Sequence, residues 1–472
     1  MSLSDERLKP IVFIIGAGLS GLLLAILLDR ADIPFRIFER ASSVKPLGSV
    51  ISIGPTILHV FDQLGLMDEM NKMSFPCPGI TLFDGDMKKL GDVKTKREKD
   101  ITGYESLVFS RPDFHEMMLR QVAPENISFN KKVLKVVEEE DKVTIHCSDN
   151  TAYECDIVVG ADGAYSSIRQ NMQRNLKEKG LLPKSDGESL IAGYNCMVGV
   201  SLPLDPEKYP VLKDDNDCHF ESIIGSERHT WSVIAVPGRR VCWTLIVQFE
   251  NPEVAKRQQF KNSEWGPEAN APMIKEFQGF RCPYGGTVGD LIDATPPELI
   301  SKVYLEHKMF KTWFHGRSVL IGDACHKLLP ALGQGAVNAL QDATILANCL
   351  YDLEDNSQKS ITAAFQSYYK QRYDFAKEAY DMSEVAAKVI NGQKWHDRLV
   401  RNIMFNYLPD WVQQYSHEKR FLYRPQATFL PLVPYKGTGR VLPQLPSKRY
   451  TKEQEAKKTE QNAPDAGKAV VV

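Results

Sequence analysis

The run Gly16-Ala17-Gly18-Leu19-Ser20-Gly21, set between a short β-branched apolar stretch and a longer apolar one, constrains this chain more than any other feature. Residues 11–15 have the length and composition of a buried parallel strand. Residues 22–30 read as a helix and 35–38 as the next strand, which Glu39 ends 18 positions after Gly21. In such a strand–turn–helix–strand unit Gly16 permits the tight turn and Gly18 lets backbone approach a pyrophosphate. Gly21 allows the helix to pack closely on the strand. The helix start offers free N–H groups and the positive end of a dipole. Glu39 is placed to accept the ribose hydroxyls of an adenosine. The competing reading is a glycine-rich turn with a surface glutamate. This fingerprint alone does not separate NAD from FAD.

At 472 residues the chain has room for about two or three domains. Its net charge of −2 argues for no nucleic-acid partner. The nine cysteines are scattered, without a C-x-x-C pair or zinc spacing, so no metal site is expected. An odd number of cysteines and the lack of a secretory leader fit a reducing compartment, and the expected location is cytoplasmic. Residues 11–28 alone are long and apolar enough to suggest a membrane span. Three glycines cut the run, and Asp29 and Arg30 close it, so no integral membrane segment is expected. Oligomeric state is left open.

Further along, helices are expected at 56–64 and 111–122, and paired strands at 132–137 and 142–146. A buried strand at 157–160 leads into Asp162-Gly163. From about residue 190 to 249 the strands lengthen, and Pro237-Gly-Arg-Arg240 reads as a hairpin turn. A short strand returns at 319–321, followed by helices at 336–350 and 361–390. The fold class is α/β: a Rossmann-type nucleotide-binding domain from 9–180 and 283–390, with an antiparallel-sheet substrate domain inserted at 181–282. Residues 80–108 are candidates to join that sheet. Residues 391–446 form a C-terminal extension, helical in part, whose aromatic- and proline-rich stretch 420–441 is expected to lie on the surface. The charged segment 447–472 is expected to be disordered.

Two later motifs carry a resemblance. Val159-Gly-Ala-Asp162-Gly163-Ala-Tyr-Ser166-Ser-Ile-Arg169 resembles the D-G motif of single-component, p-hydroxybenzoate hydroxylase-like flavoprotein monooxygenases. Gly322-Asp323-Ala-Cys325-His326 with Pro330, Gly333-Gln334-Gly335-Ala336-Val-Asn338 and Asp342-Ala343 is similar to that family's G-D motif and following helix. The three motifs span nearly the whole flavin domain in the family's order. The closer likeness is to the fungal branch of indole-diterpene and meroterpenoid epoxidases, although that branch's hydrophobic C-terminal spans are missing here.

The resemblance implies FAD as cofactor and NAD(P)H and O2 as co-substrates. It implies oxygen transfer from a C4a-hydroperoxyflavin that hydroxylates or epoxidises an apolar or aromatic small molecule. Glu39, Gly54, Arg111, Asp323 and Ala336 fall where the branch has flavin contacts, and Tyr194 falls on its proposed active-site tyrosine. Chemistry agrees with these positions. Asp323 at a strand end can accept a ribityl hydroxyl, and the turn ending at Gly335 offers N–H groups to the flavin's polar edge.

Each position has a plainer alternative. The plain reading has Tyr194 filling a sheet core, Arg111 forming an ion pair at a helix start, and Asp162, otherwise a cofactor-binding candidate, capping a turn or helix. His326 is the type of residue that supports a site structurally rather than acting as a base, and Cys325 that of a packed small side chain. Rival functions on the same scaffold are a flavin-dependent reductase or oxidase, or a non-catalytic flavin-binding regulator. A halogenase is disfavoured because the paired-tryptophan signature is absent.

Overall fold

The computed structural model describes residues 9–43, 48–94, 97–225, 228–249, 270–391, 395–407 and 418–461. Its first layer is a six-stranded sheet. In spatial order the strands are Phe314–His315, Ser318–Leu320, Ile157–Gly160, Val12–Ile15, Phe35–Phe38 and Ile127–Ser128. All neighbours are parallel except the hairpin joining the first two. Val12–Ile15 and Ile157–Gly160 are buried at every residue. That is why they read as continuous apolar runs and not as alternating ones.

The helix Leu19–Arg30 is buried from Ser20 through Leu28. It packs against the helix Gln334–Tyr351, itself buried from Val337 to Tyr351. This double burial accounts for the weak amphipathicity of both sequences.

The second layer is an eight-stranded sheet, ordered His326–Lys327, Ser301–Met309, Ile191–Val200, Arg240–Gln248, His229–Val236, Glu221–Ile224, Gly79–Asp84 and Lys89–Lys94. Every pair is antiparallel except Glu221–Ile224 with Gly79–Asp84. One face holds its own core, with Met197, Trp231, Trp243 and Leu245 packed against Phe277, Tyr284 and Leu291. The opposite face carries Tyr194. Small sheets at 133–155 and 50–110 complete the layers.

Three contacts tie the layers together. Tyr165 Oη donates to both oxygens of Glu306 at 2.7 Å. Arg240 pairs with Asp113 at 2.5 Å. Ser49 Oγ donates to Trp243 O at 3.1 Å.

The structure departs from the sequence reading in three places. The chain does not return to the first layer at residue 283: Val288, Leu291 and Ile292 belong to the second core, and Ser301–Met309 is a strand of the second sheet. The chain rejoins the first sheet at Phe314–His315, once Ser301–Met309 has paired with Ile191–Val200. The stretch 420–441 is a surface layer only in its second half, where 431–441 is largely exposed; 421–430 is largely buried. Phe421, Arg424, Gln426 and Ala427 are each at most 2% exposed. Gln63 and Ala427 exchange hydrogen bonds, and Asn348 bonds both Gln426 O and Thr428 N–H.

Nor is the start of the tail disordered: Lys448–Gln461 is a helix. Asp352 organises its entry by accepting Ser447 Oγ and the N–H groups of Lys448 and Arg449. Composition hid this helix because its stabilisation comes from its cap and from Tyr351–Glu453–Arg449 contacts, not from an apolar stripe. The same expectation for 462–472 lies outside the described residues.

Candidate active site

The glycine fingerprint forms the turn its spacing predicts. Gly16 has φ 107°, and a Cβ there would lie 2.5 Å from Ala161 O. A Cβ on Gly21 would sit 2.2 Å from Gly16 O, so any side chain would drive the helix off the strand. Gly18 differs, since its Cβ would meet only Ala161 O at 3.9 Å. It turns bare backbone toward open space.

Glu39 Oε2 accepts Ala17 N–H and Oε1 accepts Ala41 N–H, both at 2.9 Å. The carboxylate is half-buried at the strand end, directly beside the turn. Behind the turn, His115 Nε2 donates to Ala17 O at 2.7 Å. His115 was not singled out from sequence, for an isolated histidine in a helix carries no spacing signal. Burial lowers its pKa, against the Ala17 carbonyl, which favours the protonated ring.

Helices Leu19–Arg30, Pro55–Gln63 and Gln334–Tyr351 begin at Gly18, Gly54 and Gly333, and none has a side-chain cap. Their first N–H groups are therefore left for a ligand or water. A Cβ at Gly335 would meet nothing within 4 Å, and one at Gly54 only Ser106 Oγ at 3.7 Å. Gly333 adopts φ 62° beside Ser52.

Arg111 opens the helix Arg111–Arg120 and lies over Gly48, where a Cβ would meet Arg111 Cδ at 2.9 Å. Its guanidinium reaches solvent yet is ringed by protein. That desolvation lowers its pKa, while the Asp323 carboxylate acts to raise it. Ser110 Oγ and Asp162 Oδ1 are buried without a hydrogen-bond partner among the described residues. Asp162 Oδ2 is engaged, accepting Ser167 N–H at 2.6 Å and Ser167 Oγ at 2.9 Å at the start of the helix Ser167–Glu178. The residue thus caps a helix and keeps its second oxygen in reserve.

Asp323 follows Gly322, whose φ is 62° and whose N–H is taken by Asp342 Oδ2 at 2.9 Å. Asp342 is the hub of this turn. It also accepts His326 Nε2 at 2.6 Å and Arg372 Nε at 2.8 Å, and all three side chains are almost wholly buried. Burial pushes the Asp342 carboxyl up, and His326 and Arg372 more than reverse this, leaving it below the usual range. Cys325 lies close enough to His326 and Asp342 for the three to resemble a metal-ligand set. The guanidinium of Arg372 already occupies one carboxylate oxygen, and burial keeps Cys325 a thiol. These groups hold one another. Arg372 was missed in the sequence because its partner lies 30 positions away on another helix.

Arg169, inside the second motif, is buried and donates to Ala324 O at 2.9 Å, joining the D-G segment to the G-D segment. Tyr194 is 7% exposed and packs with Leu329, Ala387, Ile246, Leu305 and Ala331. Leu329 and Ala331 lead into Gly333, so the phenol-bearing face of the second sheet looks onto the turn that starts the Gln334–Tyr351 helix. Cys196 shares that face by strand alternation.

The arrangement suits a dinucleotide carrying a ring system. A glycine cradle and an uncapped helix start are open to phosphates, and the Glu39 carboxylate stands at the end of the adjoining strand. A second uncapped start stands under the Tyr194 face. Glu39, Arg111, Asp323, Gly335 and Ala336 all border this region.

A sequence profile described as FAD binding domain matches residues 10–185 and 287–383. The chain is 29% identical over 416 residues to the FAD-dependent monooxygenase ausM of Penicillium brasilianum, covering 85% of this chain and 84% of that protein. It is 29% identical over 424 residues to the 6-hydroxynicotinate 3-monooxygenase of Bordetella bronchiseptica, covering 86% and 96%. Among solved structures, Klebsiella pneumoniae HpxO complexed with FAD and uric acid superposes with a TM-score of 0.71 at 22% identity. That match covers 88% of this chain and 97% of that one.

Proposed function

The chain belongs to the family defined by the FAD binding domain, and we propose on that footing that it uses NAD(P)H and O2 to hydroxylate or epoxidise an apolar or aromatic small molecule. It is a FAD-dependent monooxygenase related to the fungal meroterpenoid branch. The observation that carries the finer reading is the pairing of Tyr194 and its apolar neighbours with the uncapped helix start at Gly333.

When bound, FAD supplies two-electron reduction and the activation of O2 for transfer of one oxygen atom. The chain's residues do the rest. Gly16, Gly18 and Gly21 would admit a pyrophosphate to the helix N-terminus, and Glu39 would accept ribose hydroxyls. Asp323 would accept from a ribityl chain, its turn held by Asp342 through Gly322. Gly54 and the N–H groups of Gly335 and Ala336, with the Arg111 cation, would hold the ring's polar edge. Asp162 would take part through its second oxygen. Leu305, Leu329 and Ile246 exclude water and seat an apolar substrate, while the Tyr194 hydroxyl orients it.

All nine cysteines are buried and free, which fits work in a reducing, cytoplasmic setting. No described helix is long and apolar enough to cross a membrane. The test is turnover under isotopically heavy O2 with NADH or NADPH, using a panel of phenols and prenylated or terpenoid alkenes. Product carrying one heavy oxygen supports the reading. Oxygen drawn from water, or a desaturated product with no added oxygen, would overturn it.

A further inference from the structure

The helix Trp395–Asn406 is built inside out. Trp395, Leu399, Ile403 and Tyr407 recur every four residues and therefore share one face. They are 76%, 50%, 46% and 71% exposed, and Val400 and Met404 beside them are exposed too. The side turned to the protein is polar: Arg401 is buried, donating to Val389 O and Ile390 O at 3.1 Å, and Asp397 is half-buried. On the preceding helix Met382 and Val385 are exposed as well. A globular surface rarely leaves so contiguous an apolar patch without a partner.

We propose that this helix docks the protein peripherally on an anionic phospholipid surface, its apolar arc entering the headgroup–acyl boundary. Shape and charge favour this occupant. The helix is exposed around most of its circumference, a ridge that a deformable lipid surface can accept and a second rigid copy would have to clasp. It roofs a cavity of about 550 Å³ lined by Arg281, Arg398 and Arg401 against Asp84 and Asp86. The charged residues of that lining are three arginines against two aspartates, which leaves it net positive. Apolar on its outer arc and basic on its flank, the helix has the pattern of an interfacial element, with aromatic residues at both ends.

The test is cosedimentation of the FAD-loaded full chain with vesicles of phosphatidylcholine alone and of equimolar phosphatidylcholine and phosphatidylserine. Binding to the mixed vesicles, weakened by salt, is expected. The double variant Leu399→Glu/Ile403→Glu should lose about a hundred-fold or more in vesicle affinity while keeping its flavin content. Arg398→Glu should lessen the preference for the anionic vesicles and leave the flavin bound. Failure of the unmodified protein to sediment with either vesicle overturns the proposal. So does a vesicle-independent dimer, seen by light scattering, that the double variant dissolves, because a second copy would then cover the face.

Discussion

Glu39 Oε2 lies 2.9 Å from the backbone nitrogen of Ala17, so the carboxylate at the end of the second strand braces the turn it stands beside. Its second oxygen braces Ala41. One side chain thus orders the loop before any nucleotide arrives.

Glu39→Ala should therefore act on cofactor and loop together. Hydrogen bonds to a charged group are each worth about 1.5–3 kcal/mol, which predicts roughly ten-fold to thousand-fold weaker FAD binding. Fluorescence titration of the apoprotein measures this. An unchanged dissociation constant would place the adenosine elsewhere.

Tyr194→Phe keeps the ring among Leu329, Leu305 and Ala387 and removes only the hydroxyl. Flavin content and thermal stability should stay within about 1 kcal/mol of the parent. Product formation should fall by roughly ten-fold to a thousand-fold while NAD(P)H consumption continues as peroxide release. Full product yield at the normal rate would make Tyr194 a packing residue alone.

Arg372→Met leaves the buried Asp342 carboxylate without its guanidinium partner, at a cost of about 3–5 kcal/mol in urea or thermal unfolding. Adding Asp342→Leu should not restore stability, because Gly322 N–H and His326 then lose their acceptor. A double variant as stable as the parent would show that the pair is dispensable and that Gly322 holds its turn unaided.

His59 is fully buried, edge-on to the rings of Tyr104 at 4.7 Å and Tyr435 at 5.2 Å. Neither ring nitrogen has a partner among the described residues. Burial, reinforced by Arg424, lowers its pKa to about 4. The unfolded chain takes up this proton near the ordinary value of about 6.5, and the folded chain refuses it until far lower. Stability from His59 is thus complete above that value and drains away as pH falls toward 4, at about 1.4 kcal/mol per unit. His59→Phe should flatten this part of the melting-temperature profile. Parallel profiles for the two proteins would refute the assignment.

The sequence disclosed whatever steric or periodic necessity writes locally. Gly16 and Gly21 are legible because nothing larger fits, and Ile157–Gly160 because a strand covered on both faces must be apolar throughout. Asp162 could be read only as cap or ligand, and its geometry shows one oxygen spent and one spare. Arg372 and His115 stayed invisible because their partners are fixed by how helices pack, not by spacing. The buried stretch around Arg424–Phe429 carried no period at all, since it is held by side chains from Gln63 and Asn348 in segments far away.

That last stretch has a consequence for how the molecule comes into being. Val12–Ile15 is flanked by Phe35–Phe38 and Ile157–Gly160, and the latter takes Ser318–Leu320 as its other neighbour. A ribosome would have to release more than two-thirds of the chain before that sheet could close. Even then the core would lack Ala427 and Phe429, which join it from much further along the chain. Pairings this distant in sequence form slowly and leave apolar edges bare meanwhile. Apolar core surface therefore stays bare until the segment carrying Ala427 and Phe429 has been made, and a chain cut between Leu320 and Ala427 could pair the sheet's strands yet would leave that part of the core open to water.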